Sequence, residues 1–263
     1  MKAKNWLSLL AVTLAGVSLF ALSACSSSSS TDSKKSESSS ALKAKSSKKK
    51  AAKKEDKENS IVKAMDQLAA ESKATGEIYV TGKLEVGKKN TLKPGIYDMT
   101  VTGGSGNVTG DRKSVTSGMF INWIAGAKGN EDNEPSTIRI ILMEGDELEL
   151  RDIAKVTFIP VPEKVTPSNQ LGIGNYVVGR DIKAGTYKLS TNVKLDPEFN
   201  NLGWGISTYN DDDGEEHDQS LTPESSDVAV ELKDGEIITT DFDGTDDTVP
   251  ADSARLIFTP VNQ

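Results

Sequence analysis

The feature that most limits how this chain can fold is an internal duplication. Gly174–Leu189 reads GNYVVGRDIKAGTYKL, and Gly82–Met99 reads GKLEVGKKNTLKPGIYDM. Whatever supersecondary unit one copy forms, the other must form as well. Three anchor pairs set the alignment: Gly95-Ile96-Tyr97 with Gly185-Thr186-Tyr187, Leu142-Met143-Glu144-Gly145 with Leu232-Lys233-Asp234-Gly235, and Phe158-Ile159-Pro160-Val161 with Phe258-Thr259-Pro260-Val261. The first two pairs are offset by 90 residues and the last by 100, so the second copy carries ten extra residues between Gly235 and Arg255, around acidic Asp241–Asp247.

Each copy is written in short apolar-alternating runs broken by Gly, Asp and Asn. EIYVTG, IYDMTV, GMFINWIAG, STIRIILMEGDELEL and AKVTFIPV are answered by NYVVG, GTYKL, GWGISTY, DVAVELKDGEIITT and ARLIFTPV. That alternation and β-branched content predict strands, hence an all-β body. The expected architecture is two tandem small β-sandwich or jelly-roll-like modules, over 76–163 and 171–263, joined by a linker at 164–170. Gly145 and Gly235 each follow an acidic residue between two strand-like runs, where a hairpin turn demands positive φ. Tyr97 and Tyr187 follow a glycine by two residues, a placement that predicts a buried ring with its hydroxyl tied to nearby backbone.

The amino terminus carries an address. Lys2 and Lys4 precede an apolar run from Trp6 to Leu22, the n-region and h-region of a secretory signal, and the run is too interrupted by Ser8, Thr13, Gly16 and Ser18 for a membrane span of about 20 apolar residues. Leu22-Ser23-Ala24-Cys25 resembles the lipobox of bacterial lipoproteins. The resemblance implies cleavage after residue 24 and a diacylglyceryl thioether on Cys25, which then begins the mature chain. Two acyl chains hold a protein at a bilayer where one is marginal, at about 0.8 kcal/mol per buried CH₂. Cys25 is the only cysteine, so an intramolecular disulfide is excluded.

Residues 25–59 form a lipid-proximal spacer, and from Ser26 to Asn59 it is almost wholly Ser, Lys, Ala and Glu. Such a composition cannot bury enough apolar surface to offset its ordering entropy and predicts a disordered coil averaging roughly 30 Å end to end. Charge divides sharply here: residues 26–59 hold 10 Lys against 5 acids, whereas 60–263 hold 19 Lys or Arg against 34 acids. An acidic body excludes nucleic acid as partner, and a basic spacer suits anionic lipid or cell-wall polymer. Over 60–75, Ile61, Met65 and Leu68 fall at helical spacing after Ser60, predicting a short amphipathic helix, docked or free.

The motif VGxDIxxGxY, present as Val178–Tyr187, is followed by a GSGN-like turn (in the first copy, Gly103–Asn107), an acidic-Gly hairpin and a closing FTPV. This pattern resembles small β-rich repeats of surface lipoproteins and secreted proteins from low-GC Gram-positive bacteria. The resemblance implies a location on the outer face of the cytoplasmic membrane and carries no established activity.

Candidate chemistry is sparse. His217, the only histidine, is expected in an acidic loop over 211–218; acyl-transfer triads need a buried, oriented base and no G-x-S-x-G accompanies it, and zinc sites ordinarily need several His or Cys. Asp211, Asp213, Asp241, Asp243 and Asp246 are the candidate calcium ligands, since Asp-rich turns with a glycine supply the six to eight oxygens Ca²⁺ takes. They are out of EF-hand register, because Tyr209 stands five before Gly214 where the loop should open. The other reading of these acids is a solvated surface. Trp123 and Trp204, one per copy, are either core residues or aromatic ligand contacts. The expectation is therefore a non-enzymatic, lipid-anchored envelope or adhesion module that binds cell-wall polymer or an extracellular ligand. Alternatives are a structural or envelope-stress lipoprotein without external ligand, and a weak carbohydrate hydrolase, which would need two acids about 5–10 Å apart in a cleft.

Overall fold

A computed structural model describes residues 61–113, 119–210, 214–244 and 249–261. Contacts divide the chain into Met1–Lys45 and Ser46–Gln263, and every described residue belongs to the second unit. The signal peptide, the lipobox residues Leu22, Ser23 and Ala24, Cys25 and the spacer lie outside the described residues, as do Asp211, Asp213 and Asp246.

A helix, α1, occupies 61–71. The first copy then supplies β1 (Ile78–Tyr79), β2 (Leu84–Glu85), β3 (Gly95–Asp111), β4 (Ile121–Gly126), β5 (Thr137–Leu142) and β6 (Glu147–Pro160). The second supplies β7 (Gln170–Leu171), β8 (Gly174–Val177), β9 (Gly185–Thr191), β10 (Gly203–Tyr209), β11 (Glu216–Leu221), β12 (Ala229–Leu232), β13 (Ile237–Asp243), a 3₁₀ turn at Ala251–Ser253 and β14 (Leu256–Pro260). Apart from these short helical pieces, the described residues are all-β.

Strand pairing makes the duplication literal. Gly95↔Leu142 and Tyr97↔Ile140 join β3 to β5, and Gly185↔Leu232 and Tyr187↔Val230 join β9 to β12 at the same offset of 90. Met99↔Phe158 and Leu189↔Phe258 repeat one another, as do Ile78↔Val156 and Leu171↔Leu256. Leu84↔Leu148 on β2 and Tyr176↔Ile238 on β8 complete the correspondence on the other layer. Each copy thus stacks two antiparallel layers over a common apolar core.

The copies differ in how the chain passes between layers. In the first, β3 and β6 each run unbroken through both layers, with register shifts between Val101 and Asn107. The GSGN segment is therefore a bulged stretch inside β3, where a turn is expected from sequence. Its glycines are required by close approach: a Cβ on Gly106 would meet the Arg151 carbonyl oxygen at 2.1 Å, and on Gly104, at φ +84, the Asp152 oxygen at 2.4 Å. In the second copy the same path is cut into β9 plus β10 and β13 plus β14.

The tyrosines behave as the glycine-tyrosine spacing predicts. Tyr97 and Tyr187 are buried, donate to the carbonyls of Lys93 (3.0 Å) and Lys183 (2.9 Å), and meet Phe158 and Phe258 edge-on with centroids 5.8 Å apart in both cases. Each edge-to-face pair contributes about 0.5–1.5 kcal/mol beyond its buried area. Gly145 and Gly235 turn their hairpins at φ +87 and +89.

The two modules form one body. A parallel bridge, Arg139↔Gly174, joins β5 to β8 and makes a single sheet across both copies. Gly174 sits at φ +127 with its Cα against Arg139, so that a Cβ would lie 2.0 Å from the Arg139 oxygen. Helix α1 docks over the same seam. Met65, Leu68 and Ala69 pack with Ile96, Ile141 and Val161 of the first module and Val177 and Ile237 of the second. Asp66 pairs with Arg180 at 3.1 Å, and Ser72 Oγ accepts from the Ile96 N–H at 2.9 Å.

Candidate functional site: a cleft between the modules

Where β5 passes β8, the layers part to leave a polar cleft of about 570 Å³. Asp98, Ser136, Thr137 and Arg139 enter from the first module, residues 165–173 form one wall, and Tyr176, Asp181, Asp252 and Arg255 enter from the second. Neither module makes this site alone.

Its frame is a charge network. The Arg139 guanidinium donates through Nε and Nη2 to the two oxygens of Asp98 at 2.9 and 3.3 Å, lies 3.5 Å from Asp181 through Nη1, and covers the Tyr176 ring at 5.2 Å. Arg180, with a side chain only 1 % exposed, donates to Asp181 Oδ1 at 2.7 Å and to the Pro162 carbonyl at 2.6 Å. Asp181 Oδ2 accepts the Val177 N–H at 2.9 Å. Asp252 accepts from the N–H of Ser136 (2.7 Å) and of Thr137 (3.1 Å) and from Ser136 Oγ (2.6 Å), stitching the 3₁₀ turn to β5. Buried charges are tolerated only when paired and hydrogen-bonded in this way, and guanidinium forks meet that demand. Tyr176 accepts the Gly172 N–H at 3.1 Å, and burial pushes its phenol up to about 12, with Arg139 opposing, so it is a neutral donor at physiological pH.

A second cleft of about 380 Å³ also joins the copies, lined by Glu134 and Trp123 from the first and Asp241, Phe242 and Asp243 from the second. Burial pushes the Glu134 carboxyl upward, reinforced by Asp132 and Asp243. Asp241 and Asp243, the described members of the candidate calcium set, end β13 here. Among the described residues no group of three or more His, Cys, Asp or Glu side chains is arranged to hold a metal ion.

Of the two roles open to the tryptophans, burial places both rings in the core, at 4 % exposure for Trp123 and 1 % for Trp204. They are also not equivalent. Trp123 lies on β4 and donates to the Thr240 carbonyl of the other module at 3.0 Å, whereas Trp204 lies on β10, donates to Thr191 Oγ1 at 2.9 Å and packs on Phe242. By pairing, β4 corresponds to β11, and Trp123 faces Val108 as Gln219 faces Ile206. His217 stands exposed on β11, a strand paired to β10, 3.6 Å from Glu215, and so does not lie in the loop expected from its acidic neighbours.

The residues that build the cleft were absent from the sequence candidates, yet a signal existed. The chain has 5 arginines among its 31 basic residues, all within the body. Three of them, Arg112, Arg139 and Arg180, donate through two or more separate guanidinium nitrogens, a fork that a lysine would lose, and Arg255 lines the cleft. No protein-family model, curated protein or solved structure matches the chain. The class it defines is thus set by its own geometry: an all-β body of two equivalent modules fused across one sheet, with a polar cleft at the join.

Proposed function

We propose that this is a lipid-anchored, non-enzymatic surface protein whose fused modules bind a ligand of the envelope or the extracellular space, held off the membrane by the basic spacer. The observation that carries the binding role is the cleft shared by both modules, pre-organised by Arg139, Arg180 and Asp252. Rigid polar groups converging on a concavity are what a binding site requires, because ordering costs are met during folding. The anchor reading is supported by Leu22-Ser23-Ala24-Cys25 and the h-region before it. Changing Cys25 to Ala is expected to release the protein from membranes or stall its processing. A Cys25→Ala protein that still fractionates with lipid at full mature size would defeat the anchor. Pull-down of cell-wall polymer and glycans by the full chain tests the binding role, and retention of nothing would favour a structural lipoprotein.

A second reading, a weak carbohydrate hydrolase, draws on the second cleft, where the Glu134 carboxyl is pushed toward the protonated form a general acid needs. Release of reducing sugar that disappears in Glu134→Gln would favour it.

A further inference from the structure

We infer that the larger inter-module cleft binds an oxyanion, a carboxylate or phosphate group carried on a polyhydroxyl ligand, with Arg255 and the Tyr176 hydroxyl as its donors. This deepens the binding-module reading and rests on it. Every carboxylate lining the cleft already has donors within the protein. Asp98 is held by Arg139, Asp181 by Arg180 and the Val177 N–H, and Asp252 by Ser136 and Thr137. Unused capacity lies on the donor side. Arg255 spends Nη1 on the carbonyls of Asp252 (2.8 Å) and Ala254 (2.6 Å), while its Nε and Nη2 make no hydrogen bond among the described residues. The Tyr176 oxygen accepts from Gly172, but its own proton meets no acceptor among the described residues, although the residue is 7 % exposed. Lys128, exposed at the rim, adds a third cation-side donor.

These groups are adjacent, and glycine keeps the space between them open. A Cβ built on Gly172 would lie 3.3 Å from the Tyr176 hydroxyl and 3.6 Å from Arg255 Nη1, so a methyl there would press on the hydroxyl and touch the guanidinium. The Arg255 main chain is itself fixed, its N–H donating to Asn192 Oδ1 at 2.7 Å and its carbonyl accepting from Thr191 Oγ1 at 3.0 Å. Adjacent donors with spare N–H and O–H capacity, beside carboxylates that already have partners, favour an acceptor-only group, which is an oxyanion. The cleft's polar lining and 570 Å³ suit a hydroxylated carrier in place of an apolar one.

The test is calorimetric titration of the detergent-solubilised full chain with glycerol 3-phosphate and with D-glucuronate, against glycerol and D-glucose as neutral controls. One or both oxyanions should bind one-to-one and saturably, and the stronger identifies the source chemistry. Arg255→Gln should weaken that binding at least tenfold, and Lys128→Ala and Gly172→Ala about threefold each, with melting temperature followed in parallel. Lys128→Ala is exposed and keeps the test valid even if Arg255→Gln unfolds. Failure of both oxyanions to saturate, or unchanged affinity in folded Arg255→Gln and Lys128→Ala, overturns the proposal. Retention of cell-wall polymer without oxyanion binding would leave the binding-module reading standing and remove only this ligand class.

Discussion

The two modules share every strand pairing yet solve the passage between layers differently, and the cleft follows from that difference. In the first module β3 and β6 bend through both layers on glycine-permitted bulges. In the second, the corresponding path is broken after β9 and after β13, and the segment that rejoins β14 carries the Ala251–Ser253 turn. That turn places Asp252 against β5 of the first module and Arg255 in the cleft. A repeat keeps its core pairs because a change there costs packing in two layers at once, whereas chain added at a layer crossing costs only loop-closure entropy, about 0.6 kcal/mol per doubling of length. The duplicated pairings are scaffold, and divergence at the second module's crossing supplied Asp252 and Arg255 to the site. Charge diverged too: 76–163 carries 10 basic and 13 acidic residues, and 171–263 carries 6 and 19.

The largest effect should come from the aligned glycines that open the repeat. Gly174→Val forces a Cβ into the Arg139 carbonyl at positive φ and should cost roughly 4 kcal/mol or more. Gly82, its counterpart, has nothing within 4 Å of a built Cβ, so Gly82→Val should stay within about 0.5 kcal/mol. Urea denaturation of both variants checks this, and equal losses would break the assignment of Gly174 to the inter-module join.

A smaller contrast separates the paired tyrosines. Tyr97 also accepts the Lys73 N–H just beyond α1 at 3.1 Å, whereas the Tyr187 hydroxyl has only its Lys183 partner among the described residues. Tyr97→Phe should therefore cost about 2 kcal/mol and Tyr187→Phe about 1 kcal/mol, read from the same denaturation curves. Equal costs would argue that α1 adds nothing to the first module through this contact.

The smallest effect concerns like charge across the second cleft. Glu134 titrates above its ordinary value in the folded state because of burial first, then Asp132 and Asp243. A carboxyl whose folded pKa is raised binds more protons folded than unfolded, so its stabilising contribution is full below the ordinary value of 4.5 and is lost as pH rises through the raised one. Glu134→Gln should raise the melting temperature at pH 7 and flatten its dependence between neutrality and pH ~4.5. A variant that melts lower at pH 7 would show that Glu134 stabilises the join.

Much of this molecule is legible in the order of its residues. Alternating apolar runs, the glycines after acidic residues and the Gly-X-Tyr spacing determine the all-β class, the hairpins at Gly145 and Gly235 and the buried tyrosines, because each depends on contacts within a few residues or on side-chain period. The proposed acylation of Cys25 likewise rests on local sequence alone. Only the tertiary structure decided that GSGN is a bulge, that Trp123 and Trp204 occupy unlike positions, and that Arg139, Tyr176 and Arg255 meet in one cleft. GNYVVGRDIKAGTYKL shows both sides: its Tyr187 and Gly185 act within their own module, while Gly174, Tyr176, Arg180 and Asp181 serve the join. Residues far apart in sequence come together there through strand order, which depends on how the copies pack and which no local period encodes.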